Sequence, residues 1–266
     1  MILNKVKNGI NRSPLLSAIF LPLKKAYWQV LHQAMNRAIR RRFQSREDFR
    51  KMVLRMSFVP GATFVKVGAN DGISGDPCSD ILLANSNWRG LLIEPVPYCC
   101  DRLRKNFSDA SRFSIAQVAI GPIEGKRTFY YVGQSASENL PALPPWYDQL
   151  GSFNKYHIVK RFGLEIAPYI VESEVTTCTL PDVLAQYKIG QVDLLHVDTE
   201  GYDLEILKMV DFERCVPQVI FIEHRHLSRE NRREMLRVLR KNNYLVRDCG
   251  HDYYALNQAA RVRRSL

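Results

Sequence analysis

The chain has 266 residues, 46% of them hydrophobic and 24% charged, with a formal net charge of +11. That length holds one large α/β domain, or one domain with a substantial appendage, and the absence of a 20–50-residue repeat or a low-complexity tract excludes repeat arrays. Residues 1–56 carry 13 of the 38 Lys+Arg and only two acids, Glu47 and Asp48, so the remaining chain is neutral and a nucleic-acid surface spread over the whole body is excluded.

The N-terminal segment, residues 1–56, reads as a basic, partly helical arm. Leu15 to Leu23 is apolar and follows Lys5, Lys7 and Arg12, as in a short signal peptide. Pro22 interrupts it, Lys24-Lys25 follow at once, and no A-x-A cleavage site is present. It also falls short of the roughly 20 residues that span a bilayer. From Tyr27 on, Val30, Leu31, Ala34, Met35, Ala38, Ile39 and Phe43 recur at helical spacing among Lys and Arg. Such a helix either lies on an anionic membrane surface or packs on its own domain. Nucleic acid is the weaker alternative, because the body has no basic-aromatic stripe. Six cysteines without a C-x-x-C pair point to a reducing, cytoplasmic compartment.

From residue 57 to 266 the pattern alternates strand and helix. Ala62–Val67 is a short β-rich run ending in a glycine turn, and Ser79–Ala84 begins a helix. Gly90–Glu94 is an apolar strand ending in an acid, and Pro97–Phe107 is helical. Phe113–Ile120 reads as a third strand and Arg127–Val132 as a fourth. Residues 133–174, rich in Pro and aromatics, break the alternation and read as a lid or substrate-recognition insertion. Trp146 and the insertion tyrosines serve either as sugar platforms or as the loop's own core. Thr179-Leu180-Pro181-Asp182 has the form of a capping box with proline at the first helical position. Val192–Val197 is a buried strand, Asp203–Val210 a helix, and Val216–Ile222 a strand. Ser228 caps a helix with Met235, Leu236, Val238 and Leu239 inward. Tyr244–Arg247 and Tyr253–Leu256 are strands joined through Cys249–Asp252. The alternation predicts an α/β fold with a mainly parallel sheet covered on both faces, its ligand site outside the carboxyl ends of the strands.

Three strand ends carry the polar residues of interest, Val67 to Gly72, Glu94 and Asp198 to Gly201, and the first two suit a nucleotide-like ligand. Gly68, Ala69 and Gly72 let a ligand approach the backbone closely. Glu94, with Pro95 after it, ends the second strand, where an acid can accept hydrogen bonds from ribose hydroxyls. Asn70 and Asp71 occupy the space where a dinucleotide fingerprint needs glycine. An acid there repels a pyrophosphate and suits the positively charged amino-acid end of S-adenosylmethionine, which disfavours a nicotinamide oxidoreductase.

The blocks Val67-Gly68-Ala69-Asn70-Asp71-Gly72, Ile93-Glu94-Pro95, Ala119-Ile120-Gly121 with Gly125, Asp193-Leu-Leu-His-Val-Asp-Thr-Glu-Gly-Tyr-Asp203 and Ile222-Glu223-His224 agree in order and spacing with one family. Over roughly residues 58–256 the chain resembles the FkbM-type methyltransferases. The resemblance implies a class I methyltransferase, Rossmann-like, with a mostly parallel seven-stranded sheet and S-adenosyl-L-methionine as cofactor. It implies O-methylation of a carbohydrate, lipid-linked glycan or polyketide-like hydroxyl, with Gly68 to Gly72, Glu94, Pro95 and Ala119 at the cofactor. Two positions depart from the pattern. Many members have Asp where this chain has Lys66, and often Lys where it has His196.

Methyl transfer is an in-line displacement, and a protonated hydroxyl needs a base or a metal to assist it. Asp198 or His224 is the expected general base, with Glu200 and Glu223 orienting the hydroxyl. His226 reads as a helix-start or surface residue. A carboxylate cluster could also hold Mg²⁺ or Mn²⁺, but a metal is not the favoured reading. The competing readings are an RNA 2′-O-methyltransferase and a non-catalytic membrane-surface adaptor with a vestigial donor site.

Overall fold

The computed structural model describes residues 44–259, and residues from Ser45 onward form one compact unit. The amphipathic helix expected before residue 44, and the docking readings attached to it, lie outside the described residues. Residues 44–56 are helical (α1). Phe49, Val53 and Met56 are spaced to share one helix face and are buried, and Phe49 stacks on Phe221 with ring centroids 4.2 Å apart. The body therefore begins at Ser45, twelve residues before the point where the charge pattern changes.

The strands are β1 (Ala62–Val67), β2 (Trp88–Ile93), β3 (Phe113–Ala116), β4 (Ala119–Ile120), β5 (Gly125–Val132), β6 (Gly151–Ser152), β7 (Ile170–Cys178), β8 (Leu194–Val197), β9 (Val219–Glu223), β10 (Tyr244–Asp248) and β11 (Asp252–Asn257). The later helices are α2 (Ser79–Ala84), α3 (Pro97–Asn106), α4 (Ala136–Asn139), α5 (Lys155–Phe162), α6 (Leu180–Gln186), α7 (Asp203–Lys208) and α8 (Arg229–Lys241). A seven-stranded sheet has the order β10-β11-β9-β8-β1-β2-β3, with β11 alone antiparallel to its neighbours. This is the mostly parallel α/β sheet that the strand and helix alternation predicts.

Alternate side chains of the central strands feed two cores, one on each face. Val65, Leu91, Leu195 and Ile220 pack with Leu180, Leu207 and Met235 from α6, α7 and α8. Phe64, Leu92, Leu194 and Phe221 pack with Phe49, Leu82 and Leu103 from α1, α2 and α3. Every residue of β8 and β9 is buried, which explains why those segments read as continuous apolar runs. The predicted caps form: the hydroxyls of Thr179 and Ser228 accept from the N–H groups of Asp182 and Asn231.

Two segments differ from the sequence-based expectation. The strand expected over Phe113–Ile120 is split, because the chain changes sheets. β3 closes the main sheet, while β4 joins a second sheet of order β4-β7-β5-β6. Residues 133–174 are also more ordered than a loop. They contain α4, β6, α5 and the first half of β7, around a small core of Val132, Ala136, Leu150, Ile158 and Ile166. An ion pair between Arg102 and Asp148, 2.7 Å, ties this insertion to α3, and a hydrogen bond from Tyr98 Oη to the Val132 carbonyl, 2.7 Å, ties the end of β5 to the same helix. Among the described residues no helix is long and apolar enough to cross a membrane.

Candidate active site

The strand order reverses between β1 and β8, so a crevice opens outside their carboxyl ends. Gly68 stands there with φ 76°. A Cβ on it would lie 1.7 Å from the Asp198 carbonyl oxygen, so only glycine lets the turn after β1 lie against the tip of β8. Asn70, also left-handed, donates its backbone N–H to Glu94 Oε2 at 2.8 Å, and Val96 donates to Glu94 Oε1 at 2.9 Å. Burial pushes the Glu94 carboxyl up to about 7, against the pull of those two N–H groups.

Asp71 serves a different purpose from the one its charge suggests. Its carboxylate accepts from the N–H groups of Ile73 and Ser74 and from the Ser74 hydroxyl, at 2.9, 2.8 and 2.6 Å. It caps the next turn, and neither Asp71 nor Gly72 lines a cavity at the crevice. Asp71 is thus a turn cap and not the group that would meet the charged end of the methyl donor.

Two cavities meet at the strand tips. One, of about 500 Å³, is walled by Gly68, Asn70, Glu94, Pro95, Val96, Ala119, Phe153 and Tyr202. The other, of about 490 Å³, has Lys66, Asp76, His196, Glu223 and Asp252 in its wall, together with Arg46, Arg161, Arg225 and Trp146. Asp198, Glu200 and His226 belong to both walls. The insertion contributes Trp146 and Arg161 to one cavity and Phe153 and His157 to the other.

At this seam Glu200 has φ 55°, a conformation that strains a non-glycine residue. Its Oε2 is 2.9 Å from His226 Nε2, and Glu223 Oε1 is 3.7 Å from the same nitrogen. Burial, then the charges of Asp198 and Glu200, push Glu223 up to about 10, so it is a neutral acid at pH 7. Burial and the neighbouring Glu200 also raise Asp198. Asp203 closes the loop below, accepting from the N–H groups of Thr199 and Gly201.

His224 is not at the seam. It follows Glu223 at the end of β9, so its ring points to the opposite face and stacks on Tyr253 with centroids 3.9 Å apart. It lines neither cavity, which corrects its assignment as an alternative base. His226 and His157 take its place. His157 packs edge-on against His226, and the ligating atoms of His157, Glu200 and His226 lie within 4.8 Å of one another, close enough to hold a metal ion.

The two departures from the family pattern are neighbours. Lys66 and His196 are register partners on β1 and β8, and both contact Asp76 Oδ2, at 2.5 and 3.4 Å. Burial opposes the charge on Asp76, but Lys66, His196 and the N–H groups of Cys78 and Ser79 hold it well below the usual carboxylate range.

A switch-point crevice with a glycine turn and an acid at the next strand tip defines the Rossmann-like class of nucleotide-cofactor enzymes. The sequence profile described as Methyltransferase FkbM domain matches residues 66–253, and the chain belongs to that family of S-adenosyl-L-methionine-dependent methyltransferases. No curated protein sequence matches it. Among solved structures it is similar to the methyltransferase FkbM of Methylobacillus flagellatus, at 15% identity and TM-score 0.46, over 74% of this chain and 43% of that one. It thus spans less than half of that protein. It is also similar to precorrin-6y C5,15-methyltransferase of Geobacter metallireducens, at 13% identity and TM-score 0.36, over 78% and 85% of the two chains. Fibrillarin of Aeropyrum pernix, solved with natively bound S-adenosyl-L-methionine, matches at 11% identity and TM-score 0.36, over 74% and 67%.

The residues present fit that cofactor. The 500 Å³ cavity is in the cofactor-sized range of roughly 300–1,000 Å³. Glu94 spends one acceptor site per oxygen on backbone N–H groups and keeps lone pairs for hydroxyls. Pro95, Val96, Ala119 and Ile120 offer apolar surface for a base, and Gly68 leaves the backbone open to close approach.

Proposed function

We propose that this chain transfers a methyl group to a hydroxyl oxygen of a carbohydrate, lipid-linked glycan or polyketide-like acceptor. The cofactor lies in the 500 Å³ cavity and the acceptor in the 490 Å³ cavity. The observation that carries the reading is that Asp198, Glu200 and His226 line both. A group at that seam reaches an acceptor oxygen from one side and the donor from the other. When bound, S-adenosyl-L-methionine supplies an electrophilic methyl carbon.

Asp198 is the general base. Burial and the adjacent Glu200 make its carboxylate more proton-hungry than an ordinary one, which suits proton removal near neutral pH. The Glu200–His226 pair holds the acceptor oxygen in line, and protonated Glu223 donates a hydrogen bond to a neighbouring acceptor oxygen. The insertion contributes Trp146 and Leu150 to the wall of the acceptor cavity.

The test is transfer of labelled methyl from S-adenosyl-L-methionine into fractionated cell extract, followed by chemical analysis of the labelled fraction. An alkyl ether on a glycan or lipid-linked fraction is expected, and label in RNA or on nitrogen would overturn the reading. Asp198→Asn should lower transfer by about 100-fold or more with cofactor affinity retained. Transfer at the parental rate would remove Asp198 from the base role.

A further inference from the structure

The acceptor cavity is acidic at its centre and basic around it. Arg46 comes from α1, Arg161 from α5 and Arg225 from the loop after β9, so three separate elements bring guanidinium groups to one cavity. All three residues are exposed, and none forms an ion pair among the described residues. Arg161 lies over the Trp146 ring at 4.6 Å, which steadies the guanidinium plane while leaving its donors free. Three like charges converging on one opening repel one another unless an anion joins them.

None of the acids in the same wall, Asp198 among them, is exposed, whereas the arginines are. Asp76 is taken up by Lys66 and His196, and Glu200 by His226. Glu223 and Asp252 are register partners on β9 and β11, and neither is exposed. The exposed charged side chains of this wall are the three arginines.

We propose that the acceptor carries an oxyanion, a phosphate or carboxylate borne on the glycan beside the hydroxyl that is methylated. The oxyanion sits on Arg161 and Arg225, with Arg46 adding long-range attraction, and Trp146 flanks the sugar ring. The arginine fork matches both oxyanions bidentately, and an anchor remote from the seam fixes which hydroxyl reaches Asp198. This inference rests on the assignment of the 490 Å³ cavity to the acceptor.

The full chain, saturated with S-adenosylhomocysteine, is titrated calorimetrically with glucose, glucose 1-phosphate and glucuronate. Glucose 1-phosphate or glucuronate should bind at least ten-fold more tightly than glucose, and the preference should shrink as salt rises. Arg161→Ala/Arg225→Ala should abolish the preference and leave affinity for S-adenosyl-L-methionine unchanged. Whichever charged sugar binds more tightly identifies the oxyanion. Equal binding of all three sugars, no binding of any, or an undiminished preference in the double variant overturns the proposal. So does a loss of cofactor affinity in that variant, since the arginines would then hold the donor's own carboxylate. If the double variant still methylates an oxyanion-bearing glycan at the parental rate while Asp198→Asn does not, the hydroxyl reading stands and the oxyanion anchor fails.

Discussion

Lys66 on β1 and His196 on β8 face each other across the sheet and share one carboxylate, Asp76. In sequence they are two unrelated departures from the family pattern, at the positions where an acid and a lysine are common. In space they form one arrangement in which a cation stands on the first strand and the anion arrives from the loop before α2.

Removing the anion should leave Lys66 buried and uncompensated. Breaking a buried pair costs about 3–5 kcal/mol, so Asp76→Asn should lower the thermal midpoint by roughly 6–20 °C at pH 7. Lys66→Met added to Asp76→Asn should recover most of that loss, because a well-packed apolar replacement of both partners is close to neutral. The pH dependence follows from the depressed folded-state pKa of Asp76. Its contribution is full above the unfolded carboxylate value of about 4 and is lost as pH falls below it. Differential scanning calorimetry of the two variants at pH 7 checks this, and additive losses would refute the shared network.

Glu223 carries the opposite sign. Burial, Asp198 and Glu200 raise its folded-state pKa to about 10, against an unfolded value near 4.3. Between those values the folded protein binds a proton that the unfolded chain releases, so stability falls as pH rises through that window. Glutamine copies the neutral acid without the proton. Glu223→Gln should therefore raise the thermal midpoint at pH 8 by more than at pH 5. Thermal unfolding monitored by circular dichroism at the two pH values decides the matter, and an equal change at both would contradict a neutral Glu223.

The cofactor turn separates two residues that look alike in the motif. Gly68→Ala would place a methyl group 1.7 Å from the Asp198 carbonyl oxygen, on a backbone with φ 76°. The turn must move, and affinity for S-adenosyl-L-methionine should drop by at least about ten-fold. Asp71→Ala removes three hydrogen bonds within the turn but no cavity-lining group. It should cost about 1–2 kcal/mol of stability and change cofactor affinity by less than a few-fold. Calorimetric titration with S-adenosyl-L-methionine compares them, and a larger loss of affinity in Asp71→Ala would restore that acid to the donor site.

The sheet was legible because β1, β2, β8 and β9 are rich in apolar residues and almost wholly buried, and their tips were legible because glycine or an acid ends or follows each run. The insertion was visible only as an interruption, since Val132, Leu150, Ile158 and Ile166 build its core without any regular period. His224 was misjudged because the two-residue alternation of β9 turns it away from Glu223. His226 was missed for the complementary reason: the chain bends after β9 and brings the third residue back under Glu223. The spacing of three between Glu223 and His226 was the available signal. His157 had none, because only the folded insertion carries it to the seam.

His157, Glu200 and His226 set up a last expectation about metals. Two imidazoles and a carboxylate with ligating atoms inside 4.8 Å suit Zn²⁺, which favours nitrogen donors, better than Mg²⁺, which favours oxygen. Metal capture at His226 Nε2 displaces its contact with Glu200, and the pair that holds the acceptor oxygen is lost. Zinc should therefore inhibit methyl transfer, while chelation by EDTA leaves the rate of the zinc-free protein unchanged. His157→Ala removes one of the three ligands and should weaken inhibition by roughly ten-fold. Rates measured across a zinc titration of the parental and His157→Ala proteins test this directly. Inhibition of equal strength in both would place the inhibitory site elsewhere, and loss of activity with EDTA would mean that the metal takes part in the transfer.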